Sequence, residues 1–341
     1  MRRLLAVLAL LAACSSDSDP PLTDATSLHC PAPGALPFRL SSDGFRNASN
    51  ETLAASNPRI KDEASDTIGG SVTASVYLPD DQAPSAGAIH FRGAKARSRA
   101  TGGGAPNALA GETVSLWTYD ASGGAWQALG TTTTGSDGYY DLAATDEVPN
   151  GQPVYAMLEA DGSCAEHYDY VLPAGSKVVV SDIDGTLTLD DTELIKQVGD
   201  ASYVPKLMTG GDHLLQAWAN KGYPIVYLTA RPHELRAESR GWLTDLGFPT
   251  GPLITTNGGS ETAAYKTLWL ERMTSFGWDI VAAYGNADTD ITAYANAGIP
   301  LTQTFIVGPL AGQGMTQPIA NMDFGEHIAT YVAAQPANAA P

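Results

Sequence analysis

The stretch that decides the fold is "KVVVSDIDGTLT", residues 177–188, where three valines run into Asp182 and Asp184. A short apolar run of this kind is typical of a strand buried in a parallel sheet. Side chains alternate along a strand, so an Asp-x-Asp at its end directs both carboxylates to one place. Like charges crowded together become favourable when a hard cation lies among them, and Mg²⁺ takes oxygen ligands of this type.

Three further apolar runs repeat the pattern: "YPIVYLTA" (223–230), "IVAAYGNAD" (280–288) and "TFIVG" (304–308). Amphipathic segments separate them, and repeated βα units predict a doubly wound α/β domain with a parallel sheet over residues 176–337. Ligands of such folds bind beyond the carboxyl ends of the strands. We expect that edge to collect the polar residues that follow the other runs, which are Thr229, Arg231, Lys266, Asn286 and Asp290.

These residues carry a resemblance to a known family. "DIDGT" (182–186), Thr229, Lys266 and "GNADTD" (285–290) resemble, in the same order, the four motifs of the haloacid-dehalogenase-superfamily phosphatases. Within that superfamily, "SDIDGTLT", "YLTARP" and "AAYGNADTDITAYANAGIP" look like the lipin-type catalytic domain. The flanks "WLTDLGFPTGPL" and "TFIVGPL" look like the C-terminal domain of membrane-associated phosphatidylinositol-transfer proteins. The resemblance covers nearly half of the chain and implies a Mg²⁺-dependent phosphomonoesterase.

The resemblance also assigns catalytic roles. Asp182 would attack the phosphoryl group and form an aspartyl-phosphate, while Asp184 would give a proton to the leaving alkoxide and later take one from water. Thr229 would donate a hydrogen bond to a phosphoryl oxygen, and Lys266 would stabilise the transferring group electrostatically.

It further implies a ligand set for Mg²⁺: Asp182, Asp290, Asn286 and the backbone carbonyl of Asp184. Gly185, Thr186 and Arg231 are the expected substrate contacts, although a surface ion pair is an equal alternative for Arg231. We interpret the acidic residues that follow, Asp190, Asp191 and Glu193, as a solvated flap.

The region before the α/β domain has a different pattern. Between residues 58 and 175, short alternating runs such as "ETVSLWTYD" and "PVYAMLEAD" are separated by turn residues, which predicts a small β-sandwich domain. Residues 131–142, "TTTTGSDGYYDL", resemble the strand entry of carboxypeptidase regulatory-like and transthyretin-like modules. Residues 15–57, rich in Ser, Asp, Pro and Ala, are expected to be a loosely ordered tether.

The N-terminus predicts export. Arg2 and Arg3 precede an apolar run that is too short to span a bilayer and typical of a secretory signal. "LAAC" (11–14) resembles the lipobox of bacterial lipoproteins, which implies a signal peptide over residues 1–14 and an acylated Cys14. Ser15 after the cysteine is typical of lipoproteins sent to the outer membrane. An ordinary signal peptide with a chance cysteine is the alternative.

The other two cysteines, Cys30 and Cys164, form an even pair in an oxidising compartment, so we predict a disulfide between them. Two buried, unbonded thiols are the alternative.

Charge and segment length bear on the substrate. The net charge of −18 argues against a nucleic-acid partner and against electrostatic docking on anionic lipid. The segment between Thr186 and Thr229 is too short for a cap domain, so the site would admit a bulky substrate such as a lipid phosphate, and the lipin resemblance implies phosphatidate. Two alternatives stay open: a phosphatase for a soluble periplasmic phosphoester, and a module that binds acidic phospholipid without turnover.

Overall fold

The fold comes from a computed structural model, and the structure describes residues 36–38, 60–64, 67–70, 89–97, 107–120, 122–144, 148–160, 162, 164–199, 203–232, 235–256 and 261–338. The predicted signal peptide, Cys14, Cys30 and nearly all of the tether lie outside these residues. Cys164 is disulfide-bonded; because Cys30 is not described, their pairing stays a prediction. Among the described helices, none combines the length and apolar character needed to cross a bilayer.

The first half of the described chain forms two sheets. One has the order β1-β3-β4 with β7 paired to β3, and the other has the order β2-β9-β8-β5-β6. Phe91 and Tyr140 of the first sheet share a hydrophobic cluster with Val114 and Leu116 of the second. Two sheets around one core are what a β-sandwich requires, and the sandwich assignment and its boundaries stay predictions. The strands are β1 Ile60–Ala64, β2 Thr67–Gly70, β3 Ile89–Arg97, β4 Asn107–Ala108, β5 Thr113–Asp120, β6 Ala125–Thr133, β7 Tyr139–Ala144, β8 Pro153–Leu158 and β9 Cys164–Leu172.

The second half contains a six-stranded parallel sheet with the order β12-β11-β10-β13-β14-β15. The first strand, β10, lies in the middle of the sheet. Strands β11 and β12 are added on one side of it, and β13, β14 and β15 on the other. This is the order of a doubly wound fold, whose reversal point lies beside the first strand. The strands are β10 Lys177–Ser181, β11 Ile225–Pro232, β12 Leu253–Thr256, β13 Asp279–Gly285, β14 Thr304–Val307 and β15 Gln317–Ile319.

Helices cover both faces of this sheet. The valines of β10 alternate between two buried clusters, with Val179 in one and Val178 and Val180 in the other. Helices α2 and α3 and the C-terminal segment pack in the first cluster, and α4 and α5 in the second. The helices are α1 Thr192–Gly199, α2 Gly211–Ala219, α3 Arg236–Asp245, α4 Thr262–Ser275, α5 Asp288–Asn296 and α6 Gly325–His327, which continues as a π-helical turn, Ile328–Val332; short 3-10 turns are Leu301–Gln303, Gln313–Met315 and Ala320–Met322.

The predicted doubly wound α/β fold is confirmed, and its four predicted strands are β10, β11, β13 and β14. Strands β12 and β15, of four and three residues, were not predicted. The segment between β10 and β11 contains two helices, α1 and α2. No further domain is inserted among its described residues.

Strand β9 joins the two halves. Tyr170 lies in the same buried cluster as helix α4, and the Trp278 indole N–H donates to the carbonyl of Leu172 at 3.2 Å. The guanidinium of Arg240 on α3 stacks over the Tyr168 ring at 4.8 Å. The β region therefore packs against the α/β domain through aromatic side chains.

Candidate active site

The site lies at the carboxyl ends of three adjacent strands. Ser181, the last residue of β10, is level with Tyr227 of β11 and Tyr284 of β13. The next residue, Asp182, continues the pairing, since its backbone N–H donates to the Tyr284 carbonyl at 3.0 Å. The residues that follow all three strands therefore emerge at one edge of the sheet, as the sequence predicts.

Lys266 of α4 lies at the centre of the acidic residues. Its Nζ is 2.6 Å from Asp290 Oδ1 and 3.0 Å from Asp182 Oδ1, and the side chain is buried. Because both oxygens lie within 3.0 Å of one nitrogen, they must lie within about twice that distance of each other. Asp182 and Asp290, more than a hundred residues apart in sequence, therefore converge.

Asp182 is a buried carboxylate without a full set of partners. It is 5% exposed, and its Oδ1 accepts no hydrogen bond, since the contact to Lys266 has ion-pair distance but not hydrogen-bond geometry. Burial raises the pKa of Asp182, the charge of Lys266 opposes this rise, and the charges of Asp290 and Asp184 add to it; together they bring the pKa to about 7. Burial would lower the pKa of Lys266, but Asp182 and Asp290 raise it overall, so this lysine stays charged.

Asp184 is held by Arg231. The guanidinium Nε lies 3.1 and 3.0 Å from the two carboxylate oxygens, and Nη2 donates to Oδ1 at 2.8 Å. Arg231 is fully buried, while the Asp184 side chain is 17% exposed. Nη1 donates to Ser239 Oγ at 3.0 Å. The surface ion pair considered for Arg231 is therefore wrong, and the direct substrate contact predicted for it is not favoured, because its donors face Asp184 and Ser239.

The loop after β13 is closed by Asp290. Its Oδ2 accepts hydrogen bonds from the backbone N–H groups of Asn286 and Ala287 at 3.0 and 3.1 Å, which satisfies free donors at the start of α5. Gly285 is required at the end of the strand, since a Cβ there would lie 2.5 Å from the Asp290 Cβ. Asp290 Oδ1, shared with Lys266, is the oxygen that remains available to a ligand.

Asn286 connects this loop to the Asp-x-Asp loop and to the flap. Thr186 Oγ1 donates to its Oδ1 at 3.3 Å, and its Nδ2 donates to Asp191 Oδ1 at 3.0 Å. The amide packs against Gly185, where an added Cβ would lie 2.1 Å from Asn286 Nδ2 and 2.5 Å from Asp191 Oδ1. Gly185 also has a φ of +67°, so both conformation and space require glycine.

Thr229 lies on β11 beside the Asp-x-Asp loop, two residues before Arg231. Its side chain is buried, and its Oγ1 accepts a hydrogen bond from the Arg231 backbone N–H at 3.2 Å. A hydroxyl that accepts through its oxygen still has its proton to donate. All but one of the predicted site residues of the α/β domain lie at this edge, and the remaining one, Arg231, lies behind Asp184. Those at the edge are Asp182, Asp184, Gly185, Thr186, Thr229, Lys266, Asn286 and Asp290.

The oxygen atoms present fit a hard divalent cation in part. In the described residues, no three His, Cys, Asp or Glu side chains form a metal-binding group. A set that also counts the Asn286 amide and a backbone carbonyl is of a type Mg²⁺ accepts, because this ion usually binds one or two carboxylates and keeps several waters. The Asp182 oxygen without a donor is the atom that a cation would satisfy.

Two residues of the flap have roles that the sequence did not reveal. Glu193 is fully buried, not solvated, and accepts from Lys196 Nζ, the Tyr203 hydroxyl and the backbone N–H of Lys206 at 2.6 to 2.7 Å. Asp191 bonds to Asn286. The interpretation of Glu193 as solvated is therefore wrong, whereas Asp191 is exposed, as expected of a solvated flap. No sequence period marks such contacts, because they depend on how the flap folds back.

Comparison with known proteins places a similarity on the same region. Residues 179–308 match the family model described as "PITM 1-3, LNS2 domain". The chain is 31% identical over 216 residues to the human membrane-associated phosphatidylinositol transfer protein 3, a match that covers 62% of this chain and 21% of that protein. It is 30% identical over 206 residues to protein retinal degeneration B of Drosophila melanogaster, covering 59% and 16%.

The chain thus spans about a fifth of the length of these curated relatives. The match of 216 residues is longer than the segment from Lys177 to the end of the chain, so it includes part of the preceding β region.

Two solved structures show a weaker likeness. A Mesorhizobium loti structure described as a HAD-like phosphatase has 17% identity and a TM-score of 0.37, and covers 48% of this chain and 88% of that one. The Pnkp1/Rnl/Hen1 RNA repair complex has 19% identity and a TM-score of 0.32, covering 38% and 42%. At these TM-scores neither likeness supports a conclusion. The region that carries the cluster of Asp182, Lys266 and Asp290 is, by its family match, similar to the LNS2 domain of the PITM proteins.

Proposed function

We propose that the α/β domain is a phosphomonoesterase that acts through an aspartyl-phosphate on Asp182, with a lipid phosphate such as phosphatidate as its substrate. The observation that carries the proposal is the position of Lys266, whose buried ammonium lies against both Asp182 and Asp290 at the carboxyl edge of the sheet. A lysine in a structural ion pair needs only one carboxylate. Two carboxylates on the same lysine, together with the raised pKa of Asp182, are typical of a catalytic site.

Asp182 supplies the nucleophile. Its Oδ1 is 3.0 Å from Lys266 Nζ and accepts no hydrogen bond, so the lysine is its one charged neighbour of opposite sign among the described contacts. Lys266 offsets its charge and that of the incoming phosphoryl oxygens, and the Thr229 hydroxyl donates to one of those oxygens.

Asp184 supplies the proton transfers. Its carboxyl follows the nucleophile by two residues and is the more exposed of the two, so a leaving group could reach it from solvent. The buried Arg231 fixes its orientation through two parallel contacts. In this arrangement Asp184 gives its proton to the leaving alkoxide and then accepts one from the attacking water.

Mg²⁺ is the cofactor we propose, held by Asp182, Asn286, Asp290 and the Asp184 carbonyl. When bound, it would neutralise charge on the nucleophile and on the phosphoryl oxygens. The proposal is supported by the raised pKa of Asp182, since a nearby cation favours the ionised form that attacks.

The lipid substrate is supported by two features. The described part of the segment between β10 and β11 forms helices α1 and α2 and no separate lid, which leaves room for a large leaving group. The curated relatives are named as phosphatidylinositol transfer proteins. The predicted acylation of Cys14 would place the enzyme at an outer-membrane surface, with the β region between anchor and catalytic domain.

Binding without turnover is the second candidate, favoured by the names of the relatives, which describe transfer and not hydrolysis. A phosphatase for a soluble phosphoester is the third. Phosphate release from phosphatidate vesicles and from a short soluble phosphoester, with and without a chelator, separates the three. We expect Mg²⁺-dependent release that is faster from vesicles and lost in Asp182→Asn. Vesicle binding without release would establish the binding module, and equal rates would favour the soluble substrate.

A further inference from the structure

Asp191 contacts Asn286, one of the four residues that would hold the cation in the proposed function. Asn286 Nδ2 donates to Asp191 Oδ1 at 3.0 Å, and Thr186 Oγ1 lies 3.3 Å from Asn286 Oδ1. When the nitrogen of a side-chain amide donates a hydrogen bond to a carboxylate, the amide oxygen points to the opposite side. The hydrogen bond to Asp191 therefore fixes the orientation of the amide, with its nitrogen at Asp191 and Gly185 and its oxygen at Thr186.

Asp191 is itself held in place. The preceding Asp190 caps α1, because its Oδ1 accepts the backbone N–H of Thr192 at 2.8 Å and also the Thr192 hydroxyl. On the other side, the pair lies close against Gly185, since a Cβ there would lie 2.1 Å from the Asn286 nitrogen and 2.5 Å from Asp191 Oδ1. The Asp191 side chain is exposed to solvent, and these neighbours place it beside Asn286.

In this pair, the Asp191 carboxylate accepts a hydrogen bond from the amide nitrogen of a proposed metal ligand, Asn286. A carboxylate bonded to the N–H of a ligand orients it and raises the electron density on its donor atom, and losing such a partner costs about 10- to 100-fold in metal affinity. Asn286 is neutral, so on its own it is a weaker ligand than an acidic residue. Asp191 supplies a negative charge one hydrogen bond away.

We propose that Asp191 is a positioning residue for the cation site: it orients the Asn286 oxygen toward the metal and contributes the negative charge that Asn286 lacks. This inference rests on the proposed function, because it requires that the edge binds a divalent cation. It adds a residue of the flap to the site, so that flap and metal affinity are coupled.

The test is calorimetric titration of the purified protein with MnCl₂ and with MgCl₂, which needs no substrate. We expect Asp191→Ala to weaken cation affinity by about tenfold or more. Asp288→Ala is the matched control, because Asp288 is an exposed acid two residues from Asn286 that bonds instead to Gln313 at 3.0 Å. Its affinity should stay within about twofold of the wild type if position and not net charge matters.

A swap variant separates positioning from folding. Asp191→Asn combined with Asn286→Asp keeps the net charge and allows the same hydrogen bond with its direction reversed, so we expect its affinity to return to within about threefold of the wild type. An Asp191→Ala affinity equal to the wild type, or an equal loss in Asp288→Ala, overturns the role of Asp191 alone. A wild-type protein that binds neither cation overturns both this inference and the metal-dependent mechanism.

Discussion

The guanidinium of Arg231 and the carboxylate of Asp184 form a bidentate ion pair in which the arginine is fully buried and the aspartate reaches solvent. Arg231 lies on β11, and Asp184 lies in the loop that follows the adjacent parallel strand β10, so the sheet brings the two together. We therefore expect Arg231 to act on a substrate through Asp184, the proposed proton donor.

Replacing Arg231 should lower turnover without weakening substrate binding. We expect Arg231→Gln to reduce kcat by about 100-fold, the usual contribution of a positioned general acid, with KM within about threefold of the wild type. Arg231→Lys should recover only part of the loss, because an ammonium lacks the planar pair of donors.

Steady-state kinetics on phosphatidate vesicles measures the effect. Arg240→Gln is the control, since Arg240 is an equally buried arginine that bonds to the Gly251 carbonyl, away from the acid. A rise in KM with unchanged kcat would instead mean that Arg231 contacts the substrate.

Lys266 should contribute strongly to stability as well as to activity. Lys266→Met leaves Asp182 and Asp290 buried without a counter-charge, and breaking a buried pair in this way typically costs about 3–5 kcal/mol of unfolding free energy. Adding Asp290→Asn to this variant should restore part of the loss, because one of the two uncompensated charges is removed. Denaturant unfolding in metal-free buffer measures both changes.

The control for this series is Lys177→Met, which removes an exposed lysine at the start of β10 and should change stability by less than about 1 kcal/mol. If Lys266→Met were as mild as this control, the buried ion-pair cluster could not exist as described.

The raised pKa of Asp182 predicts a pH dependence of stability. In the folded protein its pKa is about 7, and in the unfolded chain it returns to its ordinary value of 3.8. A carboxyl with a raised folded pKa contributes stability that is fully present below the unfolded pKa and is lost as pH rises through the folded pKa. Metal-free wild type should therefore lose stability relative to Asp182→Asn between about pH 4 and pH 7.

Thermal unfolding of both proteins across this range tests the prediction, with Tm of the variant rising relative to wild type as pH increases. Mg²⁺ should reduce the difference at pH 7, because a cation favours the ionised carboxylate of the folded wild type. A Tm difference that stays constant with pH would show that Asp182 ionises as an ordinary exposed acid.

The β region should unfold together with the α/β domain. Tyr170 of β9 is buried in the cluster around α4, so Tyr170→Ala should cost about 3–5 kcal/mol and leave a single transition. Leu301→Ala, at a side chain that is 38% exposed, should change stability by less than about 0.5 kcal/mol. Two separate transitions in the wild type would instead mean that β9 packs only weakly on the α/β domain.

Much of the fold was predictable, because buried strands such as Lys177–Ser181 and Asp279–Gly285 contain continuous apolar runs in the sequence. The residues at which the helices begin were less predictable. The residue before α2 is Gly210, which has no capping side chain, and Pro232, a residue type common at helix starts, ends β11 instead. Terminal residues depend on how the chain turns into the next element, which the local pattern does not determine.

The convergence of Asp182, Lys266 and Asp290 was also predictable, since parallel strands bring their carboxyl ends to one edge. The partners of Arg231 and Asp191 were not. A charged side chain can pair with any opposite or polar group within reach, and which one lies within reach is set by tertiary packing. For that reason the roles of residues that act through another residue emerged only from the structure.

The most direct test of the account is to identify the residue that carries phosphate during turnover. Wild-type protein would be mixed with phosphatidate vesicles and Mg²⁺, quenched in acid, reduced with borohydride and digested for mass spectrometry. The account predicts reduction of Asp182 to homoserine, in a substrate-dependent manner and at no other aspartate. Phosphate release at full rate without modification of Asp182, or with modification of Asp184 instead, would contradict it.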